Sequence, residues 1–365
     1  MLLRLFFAFF ILVHGLIHAM GFAKAFGYGE KLPLSRSISK PAGAVWLLTM
    51  FFFVVAAVLV VFQVSWWWAI GLLAAVVSQM LLFTAWKDAR FGTIANIIVL
   101  LGTILAFGVW SFERQYQKDV KAGLATTANS QLERIQETDL QPLPLPVQNY
   151  LRKAGVLGKP KVRYFILEFE GEIRGNDNAP WMPFTCEQYN FLEHPTRLFF
   201  MNARMKGMPV AGYHHFIDRK AVMDIRLFSL FKVQSAEGPE MDTSETVTFF
   251  NDMCCMAPAT LIDPRIQWLQ TDSSRVLAAF SNKGVTVSAW LHFNEQGDLV
   301  NFISNDRYAT QEDGTMKKFP WLTPMSDFRT TPDGYRLPHF GEAVYRYTEG
   351  DYPYGKFRLK KVAYR

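Results

Sequence analysis

Cysteine is scarce: three residues in 365, at positions 186, 254 and 255. With no Cys-x-x-Cys spacing and no histidine pair beside them, they exclude a zinc ribbon or a disulfide scaffold. Cys186, Cys254 and Cys255 read as small buried hydrophobes, with a bridge from Cys186 to Cys254 or Cys255 as the alternative. No Gly-x-Ser-x-Gly elbow, His-Glu-x-x-His, P-loop or dinucleotide glycine pattern is present, so no familiar catalytic device is spelled out. Asp263, Asp327, Arg329, His339 and Glu342 supply acids, a base and a cation without a motif to order them. The plain expectation is that Arg329 pairs with Asp327 or Glu342. No cofactor is implied. Basic charge is also missing where a nucleic-acid platform needs it. Of the net +6, residues 1–112 carry +5 and the remaining 253 residues only +1. Nucleic-acid binding requires a basic face on the globular part, and that is excluded. No repeat of solenoid length occurs.

What is abundant is apolar sequence at the start of the chain. Residues 5–23, 42–62, 66–86 and 91–112 are four runs, each close to the roughly 20 residues that cross a bilayer. Ala23-Lys24-Ala25 has the spacing of a cleavage site, but the first apolar core exceeds the about 7–15 residues of a signal peptide, so it reads as a span. The loop after the first span carries Lys24, Lys31, Arg36 and Lys40, and the loop after the third carries Lys87 and Arg90. The connection 63–65 carries no charge and leads into Trp66, Trp67 and Trp68, as at a membrane interface. Positive loops face the cytoplasm, which places both termini outside. Arg114, Lys118 and Lys121 pull the other way. The expectation is a multi-pass protein of a bacterial inner (cytoplasmic) membrane with an extracytoplasmic C-terminal domain.

Residues 113–140 are polar and read as a helical stalk. Pro142, Pro144 and Pro146 then force an extended segment. A short helix over 147–154, closed by Gly155, opens the soluble domain at 141–365. From Pro160 strands dominate, at 162–175, 181–191, 197–205, 211–218, 221–231, 275–280, 285–293, 299–308, 326–329, 343–347 and 355–364. Turn signals separate them: Gly175-Asn176-Asp177-Asn178, Asn282-Lys283-Gly284, Glu295-Gln296-Gly297-Asp298, Asp313-Gly314 and Pro332-Asp333-Gly334. One helix is expected within them, over 244–257, capped by Thr243 or Ser244 and ended by Pro258. The fold class is thus an all-α four-helix membrane bundle (1–112) and a stalk (113–140), then an α+β domain. That domain is a large curved antiparallel sheet, a half-barrel, with a covering helix.

Several segments carry a family resemblance. They are Leu143-Pro144-Leu145-Pro146-Val147-Gln148-Asn149-Tyr150-Leu151, and Phe250-Asn251-Asp252-Met253 running into Pro258-Ala259-Thr260-Leu261-Ile262-Asp263-Pro264. Trp321-Leu322-Thr323-Pro324 with Asp327-Phe328-Arg329, Pro338-His339-Phe340-Gly341-Glu342-Ala343 and Tyr352-Pro353-Tyr354-Gly355 complete the set. Residues 140–365 resemble an uncharacterised bacterial family whose soluble module looks like the open half-barrel of periplasmic lipoprotein carriers (the Lol-type fold). The resemblance implies a concave apolar face able to shelter an acyl chain and supplies no catalytic residues. The spans, with His14-Gly15-Leu16-Ile17-His18 and Trp86-Lys87-Asp88-Ala89-Arg90, resemble a membrane segment found ahead of such modules.

The candidate ligand set follows. Phe249, Phe250 and Met253 form the apolar face of the covering helix. Trp290 and Trp321 are strand aromatics, and His214, Arg329 and His339 are polar groups near them. The partners expected are membrane lipids and an apolar ligand or acyl chain. In Tyr213-His214-His215 the two rings point to opposite faces of a strand, so they cannot easily share a metal. In the spans, His14 and His18 lie one helical turn apart on one face and are the candidate metal or haem ligands. The plainer reading pairs them with Ser78, Gln79 or a backbone carbonyl. Asp88 is expected at the N-terminus of the fourth span as a cap, with a headgroup-binding corner of Trp86, Lys87 and Arg90 as the alternative. Three functions remain open: a tethered cradle for a lipid, a bundle-centred metal or redox protein, and an envelope assembly factor that docks a protein partner on a sheet edge.

Overall fold

The computed structural model describes every residue except 29–33, 128–132 and 312–314. Lys31 and the Asp313-Gly314 turn lie outside the described residues. The chain divides into two units, Met1–Gln115 and Tyr116–Arg365.

The first unit is helical: α1 (Leu2–Ile17), α2 (Ala19–Ala25), α3 (Lys40–Val61), α4 (Trp67–Thr84), α5 (Trp86–Ala89) and α6 (Gly92–Thr126), the last running past the unit boundary. Four helical stretches, Leu2–Ala25, Lys40–Val61, Trp67–Thr84 and Gly92–Thr126, are long and apolar enough to cross a membrane. Helices that are apolar all round suit lipid. On α3, Trp46, Phe53, Ala56 and Val60 are buried while Leu48, Phe51, Val55 and Val58 stay exposed. Ser39 caps α3 through its side chain, and Pro41 sits in the first turn where its missing N–H costs nothing. Asp88 does not cap α6. It accepts the Ser35 backbone N–H at 2.7 Å and the Ser35 hydroxyl at 2.8 Å. The loops after the first and third spans therefore meet on one side of the bundle.

After the end of α6, the second unit continues with α7 (Glu137–Leu140) and α8 (Leu145–Lys153). Its strands are β1 (Tyr164–Ile173), β2 (Met182–Phe191), β3 (Thr196–Met205), β4 (Met208–Ile217), β5 (Lys220–Leu227) and β6 (Phe231–Glu237). After α9 (Pro239–Met256) come β7 (Ile266–Thr271), β8 (Arg275–Asn282), β9 (Val285–Phe293) and β10 (Leu299–Ser304). A small hairpin, β11 (Tyr308–Thr310) and β12 (Met316–Lys318), precedes the long β13 (Trp321–Thr330), β14 (Arg336–Tyr347) and β15 (Gly350–Tyr364). Thirteen strands form one open antiparallel sheet, in the order β6-β5-β4-β3-β2-β1-β15-β14-β13-β10-β9-β8-β7.

The sheet curls around α9. This helix packs on β4, β5 and β6 and also on β9, β10 and β14. In a flat sheet, the nine steps from β5 to β9 would span about 43 Å at ~4.8 Å each, against a helix only about 10–12 Å across. Helix α9 begins five residues before the expected Ser244. Gly238, at φ +108, turns the chain out of β6, and Pro239 starts the first turn.

Residues Tyr116–Thr126 belong to this second unit rather than to a free stalk. Tyr116 and Val120 are buried. The Tyr116 hydroxyl donates to Glu187 at 2.7 Å and the Tyr213 hydroxyl to Asp119 at 2.8 Å. Odd-numbered residues of β4 thus face this helix, and even-numbered residues face α9.

Candidate functional site

On the α9 side, the strand register sets residues of β1 to β5 in cross-strand rows. The first row is Phe165, Asn190, Arg197, Phe216 and Ala221, and the second is Leu167, Gln188, Phe199, His214 and Met223. The third is Phe169, Cys186, Met201, Gly212 and Ile225, and the fourth Gly171, Phe184, Ala203, Val210 and Leu227.

Helix α9 meets the first two rows with two different faces. Its apolar face packs Phe249 on Phe216 and Phe280, and Phe250 on Phe280 and Phe302. Phe249, Phe250 and Met253 are 0% exposed. They fill the core and present no surface to a ligand in this conformation.

The other face carries Ser244, Glu245, Thr248 and Asp252, spaced so that all lie along one side of the helix. Arg197 answers it from β3, donating through Nε to Asp252 at 2.8 Å, Nη1 to Glu245 at 3.1 Å and Nη2 to Gln188 at 3.0 Å. Asp252 also accepts from Gln188 at 2.7 Å and Asn190 at 3.2 Å. Burial pushes the Glu245 carboxyl up, and Arg197, Arg307 and His214 together outweigh it, so the group stays ionised.

Arg307, just after β10, reaches over the same stripe. Its Nη1 donates to the Ser244 carbonyl at 3.1 Å and to the Thr248 hydroxyl, and its Nε to the Tyr345 hydroxyl at 3.1 Å. The guanidinium stacks 4.5 Å over Trp321, whose indole N–H donates to the Tyr354 hydroxyl at 3.1 Å. His214 projects from the second row toward this cluster, within electrostatic reach of Glu245, Arg197 and Arg307. Loss of water pushes its ring down to about 4, which keeps it neutral at neutral pH.

Beyond this polar floor, the third and fourth rows are apolar walls. Phe169, Phe184, Cys186, Met201, Ala203 and Val210 are buried at 3–9% exposure, as is Phe199 of the second row at 7%, while Phe165, Leu167 and Phe216 are at 0%. Ile225, Leu227, His214 and Arg307 are half-buried. The concave side of the sheet is thus a trough with a polar floor and apolar sides, closed here by packing of its own side chains. Two wider surface clefts, of about 550 and 720 Å³, are lined largely by polar residues such as Ser235, Glu237, Glu240 and Thr310, or Asn149, Ser273, Ser274 and Asn294.

Of the expected ligand set, the structure brings His214 and Trp321 together at the floor. Trp290 points to the opposite face of β9 from buried Ala289 and Leu291, and the Arg275 guanidinium lies 4.6 Å over it. Arg329 is exposed and doubly bonded to Asp327, at 2.9 and 2.6 Å. His339 is half-buried, its Nδ1 3.2 Å from the Leu337 carbonyl. Arg197, Glu245, Asp252, Arg307 and Tyr345 were not anticipated. The polar stripe of α9 was the available signal, because a helix otherwise buried needs a cation for each buried carboxylate. Cys186, Cys254 and Cys255 are free and buried.

In the membrane helices, His14 Nε2 lies 2.8 Å from Asn96 Oδ1, and Asn96 donates to Gln79 at 3.0 Å. Gln79 donates to Thr93 at 3.2 Å. His18 Nε2 lies 2.8 Å from the Ser78 hydroxyl and its Nδ1 3.1 Å from the His14 carbonyl. These contacts link α1, α4 and α6 by interhelical hydrogen bonds. Among the described residues no group of three or more metal-ligating side chains gathers there or elsewhere.

A family of unknown function, DUF6544, matches residues 133–357, which covers the entire trough and its floor. The chain belongs to DUF6544. No curated protein matches it.

Proposed function

We propose that this DUF6544 protein is a membrane-tethered cradle that holds a lipid or other acyl-bearing ligand in the trough of its curled sheet, on the extracytoplasmic side. The observation that carries the reading is the two-zone interior. Helix α9 covers the first two rows with its aromatic and carboxylate side chains, while the third and fourth rows are lined by apolar residues and by Gly171, Ala203 and Gly212. Apolar concavities with a few convergent polar groups are the usual ligand sites of such domains. An acyl chain enters by displacing Met201, Met223 and Met325, whose unbranched side chains repack readily. A likeness to the half-barrel of lipoprotein carriers fits this use of an open sheet. The common side of the basic loops supports an outward C-terminal domain.

Native mass spectrometry of the full chain, released from detergent micelles, tests the reading. One lipid per chain, retained after the annular lipids are stripped, supports it. A chain that emerges without ligand at every activation energy contradicts it.

A docking role has one observation in its favour. Edge strand β6 exposes Phe231 at 62% and Val233 at 53%, a surface on which a partner strand can add. A stoichiometric protein partner whose capture is lost on Val233→Pro would favour that role.

A further inference from the structure

The floor of the trough treats its two arginines unequally. Arg197 is matched by two carboxylates, Glu245 and Asp252. Arg307 is paired with none: among the described residues no carboxylate lies within ion-pair distance of it. Its partners are neutral, namely the Tyr345 and Thr248 hydroxyls, the Ser244 carbonyl and the Trp321 ring. These contacts occupy Nε and Nη1. The Nη2 amino group has no protein partner among the described residues and is not sealed from solvent. Tyr345, Tyr354 and Glu245 hold the group cationic against the cost of its burial. His214 is in the same situation, its ring nitrogens neither bonded to another described side chain nor sealed.

A guanidinium deep in a fold, anchored through Nε and Nη1 and free at Nη2, is arranged to take an anion. The two hydrogens of the free Nη2 can donate to an oxygen of a carboxylate or phosphate. A neutral imidazole beside it adds a further hydrogen bond. The apolar third and fourth rows follow His214 along β4, so a chain attached to the anion would run along them.

We infer that Arg307, assisted by His214, seats the anionic headgroup, a carboxylate or phosphate, of an amphiphile whose acyl chain lies along the Met201 and Ala203 rows. This rests on the cradle reading and names the class of ligand the cradle takes. Trp321 and Tyr345 act as positioning residues, holding the guanidinium by its face and its Nε and leaving Nη2 for the ligand.

The test uses the full chain in phosphatidylcholine vesicles and two photoreactive probes, a long-chain fatty acid carrying a diazirine and the primary alcohol of the same chain. Adducts are mapped by peptide mass spectrometry. The acid is expected to label the peptides bearing Phe184, Met201 and Ala203 roughly ten- to a hundredfold more than the alcohol, the worth of one charge-assisted hydrogen bond. Arg307→Gln removes that preference, and Arg329→Gln, on the surface, leaves it intact. If Arg307→Gln does not melt cooperatively, Arg307→Lys decides, since it keeps the charge, loses the anchored Nη2 donor and should narrow the preference. Equal labelling by acid and alcohol in the natural sequence overturns the headgroup assignment and leaves the cradle standing. Labelling by neither, with adducts confined to the spans, overturns both. Excess inorganic phosphate distinguishes the two sources of anion. Unchanged labelling supports an acyl-borne headgroup, and loss of labelling overturns it in favour of a free anion.

Discussion

Arg197 on β3 and Asp252 on α9 meet at 2.8 Å across 55 residues of sequence, and this contact pins the helix inside the curled sheet. Both groups are buried, so removing one partner strands the other. Arg197→Met is expected to cost about 3–5 kcal/mol, read as a loss of stability in chemical denaturation. Adding Glu245→Gln and Asp252→Asn to it removes the stranded charges and should recover much of that loss. A single variant as stable as the natural chain would contradict this role.

Gly171 on β1 lies hard against the backbone of β15. A β-carbon placed there would stand 1.9 Å from the Lys356 carbonyl oxygen, a backbone atom that cannot swing aside. Gly171→Ala should therefore force the strands apart and cost about 1–3 kcal/mol, as overpacking does. Thermal melting of the variant measures it, and an unchanged midpoint would show that the pairing tolerates more room.

His214 makes a pH prediction whose sign is fixed. Its folded value of about 4 lies below the ordinary 6.5, so the unfolded chain takes up this proton first as pH falls. The associated stability is complete above about pH 6.5 and is lost progressively toward pH 4. His214→Gln should flatten that part of the stability curve, measured by denaturation at a series of pH values. The same slope in the variant would assign it to other groups.

The three thiols should be silent in the folded chain. Burial pushes Cys186 up to about 12 and raises Cys254 and Cys255 well above the ordinary thiol range, leaving no thiolate to react. Maleimide uptake should be nil in native protein and complete after denaturation. Rapid labelling of any of them while the sheet is intact would place that side chain at an opening.

That silence permits a topology experiment. Lys360→Cys on β15 should react with a membrane-impermeant maleimide in intact cells, and Arg36→Cys only after permeabilisation. The reverse pattern would move the trough to the cytoplasmic side.

The fold class was legible in the sequence because its signals are strong and local. The four runs are long, and β1, β2 and β9 alternate with turn signals beside them. The edge strands β6 and β7 were not legible: β6 is exposed on both faces except at Ala236, so no period of two marks it. The start of α9 was misplaced because the Thr243-Ser244 capping signal outweighed Gly238-Pro239. The site was legible only in part. His214 and Trp321 could be named by residue type, but Arg307 falls inside the expected strand at 299–308 with no pattern to single it out. It becomes notable only once the curled sheet brings it over Ser244 and Thr248. The apolar residues of α9 were assigned to a ligand because amphipathic spacing does not distinguish a lining surface from a filled core.

The central claim is that the third and fourth rows hold a chain, and Gly212 tests it most directly. A β-carbon there meets only Met201 at 3.4 Å and Ile225 at 3.8 Å, so a larger side chain projects into the trough without striking backbone. Native mass spectrometry of the full chain with Gly212→Leu should show the retained lipid lost while the thermal midpoint holds. Equal lipid occupancy in the variant and the natural chain would contradict the account.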